Sequence, residues 1–375
     1  MDIRLVDLQA QYARLKPSID DRIAAVLAHG QFIMGPEVAM LEEQLARGAA
    51  CRHAVGVASG TDALLIPLMA AGVGPGDAVF VPSFTFTATA EVVLMVGATP
   101  VFVDVDARTY NIDVAQLERE IDRTVAADAL RPRAIVAVDL FGLPADYDSL
   151  RSIAERHALL LIADAAQSYG AVTPTGPVGS LAPITATSFF PAKPLGAYGD
   201  GGAIFTHDDA LADVMRSIRQ HGKGREKYDI ARTGVNSRLD TLQAAILLAK
   251  LEAFDDEIAA RNRIAGKYNE RLRNLVVTPA PPDGTASAWA QYTIQVDSRD
   301  AVAAKLKSAG VPCAVYYPRP MHLQPAYRKF GSGPGSLPVS ERLCDHVLSL
   351  PIHPDLTDAA VERVCETLAA TIRAC

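Results

Sequence analysis

Six short runs rich in β-branched and aliphatic residues recur along the first half of the chain: "HAVGVASG", "AVFVPS", "TPVFVDVD", "RAIVAVDLFG", "LLLIADAA" and "ITATSFF". Most are followed by a segment of helical period, such as "GTDALLIPLMAAG" or "TATAEVVLMVGA". Strands this uniformly apolar need cover on both faces, and repeated βα crossovers lay strands parallel. The pattern therefore predicts an α/β fold with a mostly parallel sheet, its large domain spanning about Cys51 to Lys250. Two amphipathic helices precede it, "IDDRIAAVLAHG" and "PEVAMLEEQLARGA", each read as closed by a C-terminal glycine. After it, "RLDTLQAAILLAKLEAFDDEIAARNRIAGKYNERLRNL" reads as one long helix and "PAPPDG" as a turn-rich joint. The remainder, with "AQYTIQV", "CAVYYP" and "VERVCETLAATIRA", suits a smaller α+β domain. A chain of 375 residues exceeds what one hydrophobic core usually serves. The expected division is 1–250 for the N-terminal helices and large domain, and 251–375 for the linking helix and small C-terminal domain.

Composition removes several classes of function. With 36 basic against 43 acidic residues there is no global positive field to attract nucleic acid or an anionic membrane, so any anion must be held locally. The N-terminus "MDIRLVDLQAQYARLK" is charged throughout, and no apolar run approaches the roughly 20 residues of a membrane span. Cys51, Cys313, Cys344, Cys365 and Cys375 form no CxxC pair, and their odd number suits reduced thiols and a cytoplasmic location. No cluster of metal-ligand spacing is expected.

The chemistry gathers at strand ends, where open α/β sheets bind ligands. In "HAVGVASGTDALL" a strand passes through a Ser-Gly-Thr turn into a helix, so the amides of Gly60, Thr61 and Asp62 offer a seat for phosphate; an ordinary helix cap by Ser59 or Thr61 is the plainer alternative. "LLLIADAAQSYGA" ends a strand on Asp164 with Gln167 three residues on, and the carboxylate is either a helix cap or the partner of a buried cation. In "SFFPAKPLGAYGDGGAIFT", Lys193 stands between Pro191 and Pro194, after a strand ending at Ser188 and before a glycine-rich turn. A solvated surface lysine needs no such frame. A phosphate seat, a carboxylate and a lysine on successive strand ends meet the demands of pyridoxal 5′-phosphate, whose aldehyde bonds a lysine and whose ring nitrogen keeps its proton beside a carboxylate.

"SGTDAL", "ADAAQSYGA", "SFFPAKPLGAYGDGGAIFT" and "GVNSRLDTLQAAIL" together resemble, in order and spacing, the DegT-type (StrS-like) sugar-nucleotide aminotransferases. "HGQFIMGPEV" and "VYYPRPMHLQP" extend the likeness along nearly the whole chain. The resemblance implies the aspartate-aminotransferase fold (PLP fold type I) and ping-pong transamination. It makes Lys193 the covalent anchor and proton shuttle, and Asp164 the partner of the ring nitrogen. Gln167 becomes a contact to the ring, Gly60, Thr61 and Ser188 the phosphate cup, and Phe86 an aromatic ring stacked on the cofactor. Asn236 would complete the phosphate site of a neighbouring subunit, which implies a homodimer with shared active sites. Two departures stand out. Asp200 occupies the usual glutamate position of the Gly-Glu-Gly-Gly turn, with little expected effect, and Tyr316-Tyr317-Pro318 replaces the His-Tyr-Pro common in relatives, so a histidine contact to substrate is not carried over.

The segment "RSIRQHGKGREKYDIARTGVNSR" gathers Arg216, Arg219, Lys223, Arg225, Lys227, Arg232 and Arg238 in an otherwise acidic chain. Singly these read as solvated charges; as a set they suit a nucleoside diphosphate and carboxylates, with Arg238, then Arg225, preferred as carboxylate anchor for arginine's fork. Tyr316 and Tyr317 are further substrate-contact candidates. Within the family the likeness points to bacterial enzymes that aminate UDP-2-acetamido-2-deoxy-3-oxo-glucuronate with L-glutamate for surface polysaccharides. Spacing and charge leave a 3-oxo or 4-oxo 6-deoxy sugar open as an alternative. Lys193 argues against a sugar dehydratase, whose relatives carry histidine there; a non-catalytic PLP-binding protein differs only in turnover. "GVGPGDAV" lacks the dinucleotide fingerprint and its strand-to-helix context.

Overall fold

The computed structural model describes residues 2–226 and 228–373, so Lys227 of the basic segment and Cys375 lie outside the described residues. Two helices, α1 (Leu8–His29) and α2 (Pro36–Gly48), precede the sheet. The sheet begins with β1 (His53–Val57), β2 (Asp77–Pro82), β3 (Thr99–Val103), β4 (Arg131–Val138) and β5 (Leu160–Asp164). A two-residue hairpin, β6 (Val172–Thr173) with β7 (Gly176–Pro177), intervenes before β8 (Ile184–Ser188) and β9 (Gly202–Thr206). The seven long strands lie in the order β1-β9-β8-β5-β4-β2-β3. All pairings are parallel except the two made by β9, which runs against both β1 and β8.

The expected two-sided burial has a direct cause in the pleat. Val79 and Val81 of β2 pack on one face with α3 (Gly60–Ala70) and α4 (Ala88–Met95). Ala78 and Phe80 pack on the other with α5 (Val114–Ala127) and α6 (Tyr147–Arg156). Alternate residues of one strand thus feed two cores, and neither set can be polar. After β9 come α7 (Asp209–Ile218), α8 (Thr241–Leu251) and α9 (Phe254–Leu272). The rest is a two-stranded antiparallel sheet, β10 (Tyr292–Gln295) with β11 (Val347–Leu350), packed with α9, α10 (Arg299–Ser308) and α12 (Asp358–Arg373) around a separate core. Val138 at the end of β4, with Phe84 and Phe141 just beyond β2 and β4, buries against Leu343 of α11 (Pro338–His346) and Val347 of β11, so the two parts share a third cluster. Among the described residues no helix is long and apolar enough to cross a membrane.

Four expectations need correction. The long helix is two: α8 ends at Leu251 and α9 starts at Phe254, where Asp255, Asp256 and Glu257 fill a first turn and favour a new positive helix end. Gly30 does cap α1 in the left-handed region at φ 71, but Gly48 stays inside α2, and the left-handed step falls on Ala50 at φ 50. "CAVYYP" forms no strand and contributes one bridge, Ala314 to Ser349. Finally "GAIFT", read only as the tail of the lysine segment, is β9, fully buried inside the sheet.

Candidate active site

Ser59 ends the turn after β1 and caps α3, its hydroxyl accepting from the Asp62 amide at 3.0 Å. The plainer reading of that turn thus holds for Ser59 and Asp62, while the first amides of α3, Gly60 and Thr61, have no intrahelical acceptor. A side chain at residue 60 would meet Ser188 Cβ at 2.6 Å, so glycine there lets the turn close on the end of β8.

The Lys193 loop runs from Phe189 to Gly201 and is held from within and from below. The Lys193 amide donates to Phe190 O at 2.9 Å and the Ala197 amide to Phe189 O at 2.7 Å. Helix α8 grips it twice: Gln243 Oε1 accepts from the Tyr198 amide at 2.9 Å, and the buried Lys250 ammonium donates to Gly196 O at 2.6 Å while lying 4.1 Å from the Tyr198 ring centre. A Cβ on Gly196 would come within 2.4 Å of Pro191 O, so this turn tolerates no side chain.

The Lys193 side chain opens into a cavity of about 430 Å3, a volume suited to a small ligand. Gly60, Thr61, Phe86, Asp164, Gln167, Ser188, Tyr316 and Tyr317 line the same space. Eight sequence candidates from four strand ends and the small domain therefore converge with Lys193. Asp200, the departure in the glycine turn, also lines the cavity. Arg225 and Asn236 are exposed and Arg238 is half-buried; none of the three lines the cavity of its own chain. Between the last two, Ser237 donates to Asp62 Oδ2 at 2.8 Å and accepts from the Ala58 amide at 3.1 Å, which ties this segment to the turn after β1.

Asp164 is 6% exposed and caps no helix. Its Oδ2 accepts from Thr89 Oγ1 at 2.9 Å and its Oδ1 from the Ala166 amide at 3.3 Å. Burial raises the carboxyl pKa, and the Thr89 and Ala166 donors and the Lys193 charge draw it back. Burial lowers the pKa of the Lys193 amine, opposed by Asp164. Among the described residues the Lys193 ammonium makes no ion pair or hydrogen bond. Gln167 accepts from the Phe141 amide at 2.5 Å and donates to the Tyr317 hydroxyl at 3.4 Å, so its amide plane is fixed from both ends.

Sequence reasoning missed a layer behind these groups. Asp139, fully buried, accepts from the Ala145 amide at 2.9 Å and from the hydroxyls of Tyr147 and Ser168 at 2.6 Å each. Its carboxyl is pushed up to about 7 by burial, with the neighbouring Asp164 charge adding to the rise. Thr89 and Thr85 were likewise unmarked; buried threonines in "TFTATA", among alanines and valines, were the available signal.

A model of the DegT/DnrJ/EryC1/StrS aminotransferase family matches residues 14–369. The chain belongs to this family. A UDP-2-acetamido-2-deoxy-3-oxo-D-glucuronate aminotransferase of Pseudomonas aeruginosa is 48% identical over 367 residues, spanning 98% of this chain and 99% of its own. A UDP-N-acetyl-3-dehydro-alpha-D-glucosamine 3-aminotransferase of Acidithiobacillus ferrooxidans is 42% identical over 374 residues, spanning 99% and 98%. The crystal structure of a DegT DnrJ EryC1 StrS aminotransferase from Brucella abortus superposes with a TM-score of 0.97 at 51% identity, covering 98% of this chain and 99% of that one. The protein is thus a sugar-nucleotide-type aminotransferase on the expected fold, and its family depends on pyridoxal 5′-phosphate. The site suits that cofactor: helix-end amides beside Ser188, a desolvated carboxylate, and a lysine with no ion pair among the described residues, in one cavity.

Proposed function

We propose that this aminotransferase moves the amino group of L-glutamate onto the 3-oxo carbon of a UDP-linked 2-acetamido-2-deoxy-hexuronic acid, for bacterial surface polysaccharides such as O-antigen. The observation that carries the reading is a single cavity in which burial draws a lysine toward its neutral form opposite a buried carboxylate. The 48% identity to the glucuronate aminotransferase supports the choice of sugar. We assign the protein to the cytoplasm, in keeping with four unpaired cysteines among the described residues.

Pyridoxal 5′-phosphate supplies, when bound, an aldehyde that exchanges amines and a protonated ring that withdraws electrons. Lys193 holds that aldehyde at rest and, when released, carries a proton; its lowered pKa leaves more free amine at neutral pH than an exposed lysine has. Asp164 holds the ring N–H. The Gly60 and Thr61 amides and the Ser188 hydroxyl receive the phosphate at the positive end of α3. Gln167, braced by Phe141 and Tyr317, would orient the ring, and Phe86 would pack against it. Tyr316 and Tyr317 close the substrate side from the small domain.

The active unit in this reading is a homodimer. Phe86 and Phe190, at the cavity mouth, are 55% and 53% exposed, an apolar rim that a second subunit would cover. Asn236 would then complete the partner's phosphate site, with Arg238 and Arg225 reading carboxylate or diphosphate.

The deciding experiment measures the two half-reactions separately in single turnover, with UDP-linked 3-oxo sugars carrying either a C6 carboxylate or a C6 hydroxymethyl group. A guanidinium left unmatched by the second sugar should cost about 1.5–3 kcal/mol, roughly ten- to a hundredfold in the second half-reaction. Arg238→Lys should narrow the preference, because a point charge lacks the bidentate fork. Equal rates would reject the uronate and favour the glucosamine-type substrate named for the Acidithiobacillus relative.

A further inference from the structure

We propose that Thr89, supported by Thr85, is the positioning residue that keeps the Asp164 carboxylate ionised and aimed while the charge on Lys193 comes and goes. The inference rests on the cofactor reading above and deepens it.

Thr89 opens the buried face of α4, among Ala88, Ala90, Val92 and Val93. Its hydroxyl touches Asp164 Oδ2 at 2.9 Å, and Thr85 Oγ1 lies 3.1 Å from Thr89 Oγ1. An ionised carboxylate can only accept. Thr89 must therefore spend its proton on Asp164, and Thr85 must spend its own on Thr89, so both hydroxyl dipoles point toward the carboxylate. The Ala166 amide adds a second donor at Oδ1.

Most of what else faces Asp164 works against its charge. The site is buried, and Asp139 sits behind it, its amide bonded to the Asp164 carbonyl at 3.0 Å. The Tyr147 hydroxyl, held by Asp139, and the Tyr317 hydroxyl, held by Gln167, complete the titratable groups that sense Asp164. The one cation facing it among the described residues is Lys193, whose charge changes as its nitrogen bonds an aldehyde and gains or gives up a proton. The threonine pair and the Ala166 amide are donors whose state does not change through the cycle. Removing Thr89's hydroxyl should raise the Asp164 pKa, so the protonated fraction grows from a higher pH downward.

The test uses the apo-protein and pyridoxal 5′-phosphate itself. Cofactor dissociation constants are measured by equilibrium dialysis from pH 6 to 9 for wild type, Thr89→Val, Thr89→Ser and Thr85→Val, with the visible absorbance of bound cofactor titrated over the same range. A lost hydrogen bond to a charged group predicts about ten- to a hundredfold weaker binding in Thr89→Val at pH 6, narrowing toward pH 9. Thr89→Ser should recover most of it, and Thr85→Val should shift binding in the same direction by less. Wild-type affinity and titration in Thr89→Val, or a serine variant as impaired as the valine, would overturn the proposal. So would a loss of affinity equal at all pH values. Should Thr89→Val fail to fold, Thr85→Val decides alone, an unchanged pH profile counting against the proposal. Failure of the wild type to bind the cofactor at all would instead overturn the reading on which the proposal rests.

Discussion

Lys193 owes its character to what is missing around it. Half-buried and without an ionic partner among the described residues, it is pulled by desolvation toward the neutral amine and left free to react. Borohydride reduction of the holoenzyme should fix the cofactor on Lys193 alone, read by peptide mass spectrometry, and Lys193→Ala should bind cofactor noncovalently with no turnover. Asp139 makes the opposite case, a carboxyl whose every donor comes from the fold. Its pKa is raised from about 4 to about 7, so between those values the folded state holds a proton that the unfolded chain has released. Stability from this group is therefore present at low pH and lost as pH rises through 7. Asp139→Asn should flatten that decline, while costing about 1–3 kcal/mol because its amide cannot accept from three donors; urea unfolding of both proteins from pH 4.5 to 8 checks the slope. His322 shows that contact geometry alone does not make a site. It touches Ser83 Oγ at 2.6 Å and Glu341 at 3.2 Å, the atoms of a hydrolase triad, yet His322 and Ser83 are fully buried and line no described cavity, so the trio ties the small domain to β2.

At the scale of elements, the catalytic loop is only as rigid as its attachment to α8. Lys250→Met removes the donor to Gly196 O, and Gln243→Ala the acceptor for the Tyr198 amide. Each should lower kcat several-fold with little change in KM, a pattern of mispositioned chemistry rather than weakened binding; steady-state assays at saturating glutamate test it. The parallel strands and the residues on their ends were legible in the sequence because two-sided burial leaves an apolar run and chemistry stands where the run stops. Asp164, Ser188 and Lys193 were found that way. What sequence could not convey depended on distant partners. Thr89 and Asp139 look like ordinary buried residues until the strand carrying Asp164 is laid beside them. The α8–α9 break was hidden because Glu252 and Ala253, which separate the helices, are good helix formers with no glycine or proline to mark the stop. Strand β9 escaped because its run is short and abuts a glycine turn, and only pairing with β1 and β8 makes it a strand.

For the whole molecule, the sharpest question is whether one chain can work alone. Asn236 and Arg238 stand outside their own cavity, on a segment pinned by Ser237 to the turn after β1. Mixing Lys193→Ala protomers with Asn236→Ala, Arg238→Ala protomers should restore activity in heterodimers, since one of their two sites then carries every intact group; isolated heterodimers without activity would assign both residues to their own subunit. A different consequence follows from the placement of β1. It is the first strand made, yet among the described residues it stands at the sheet's edge and pairs with β9 alone, roughly 150 residues further along the chain. While the ribosome is still adding those residues, the Gly60 turn has nothing to lean on, and the later parallel strands must assemble without it. The arrival of β9 seats β1 and brings the turn against Ser188 in the same event. Nascent chains halted before residue 202 should therefore fail to retain pyridoxal 5′-phosphate even though Asp164 and Lys193 have both been made.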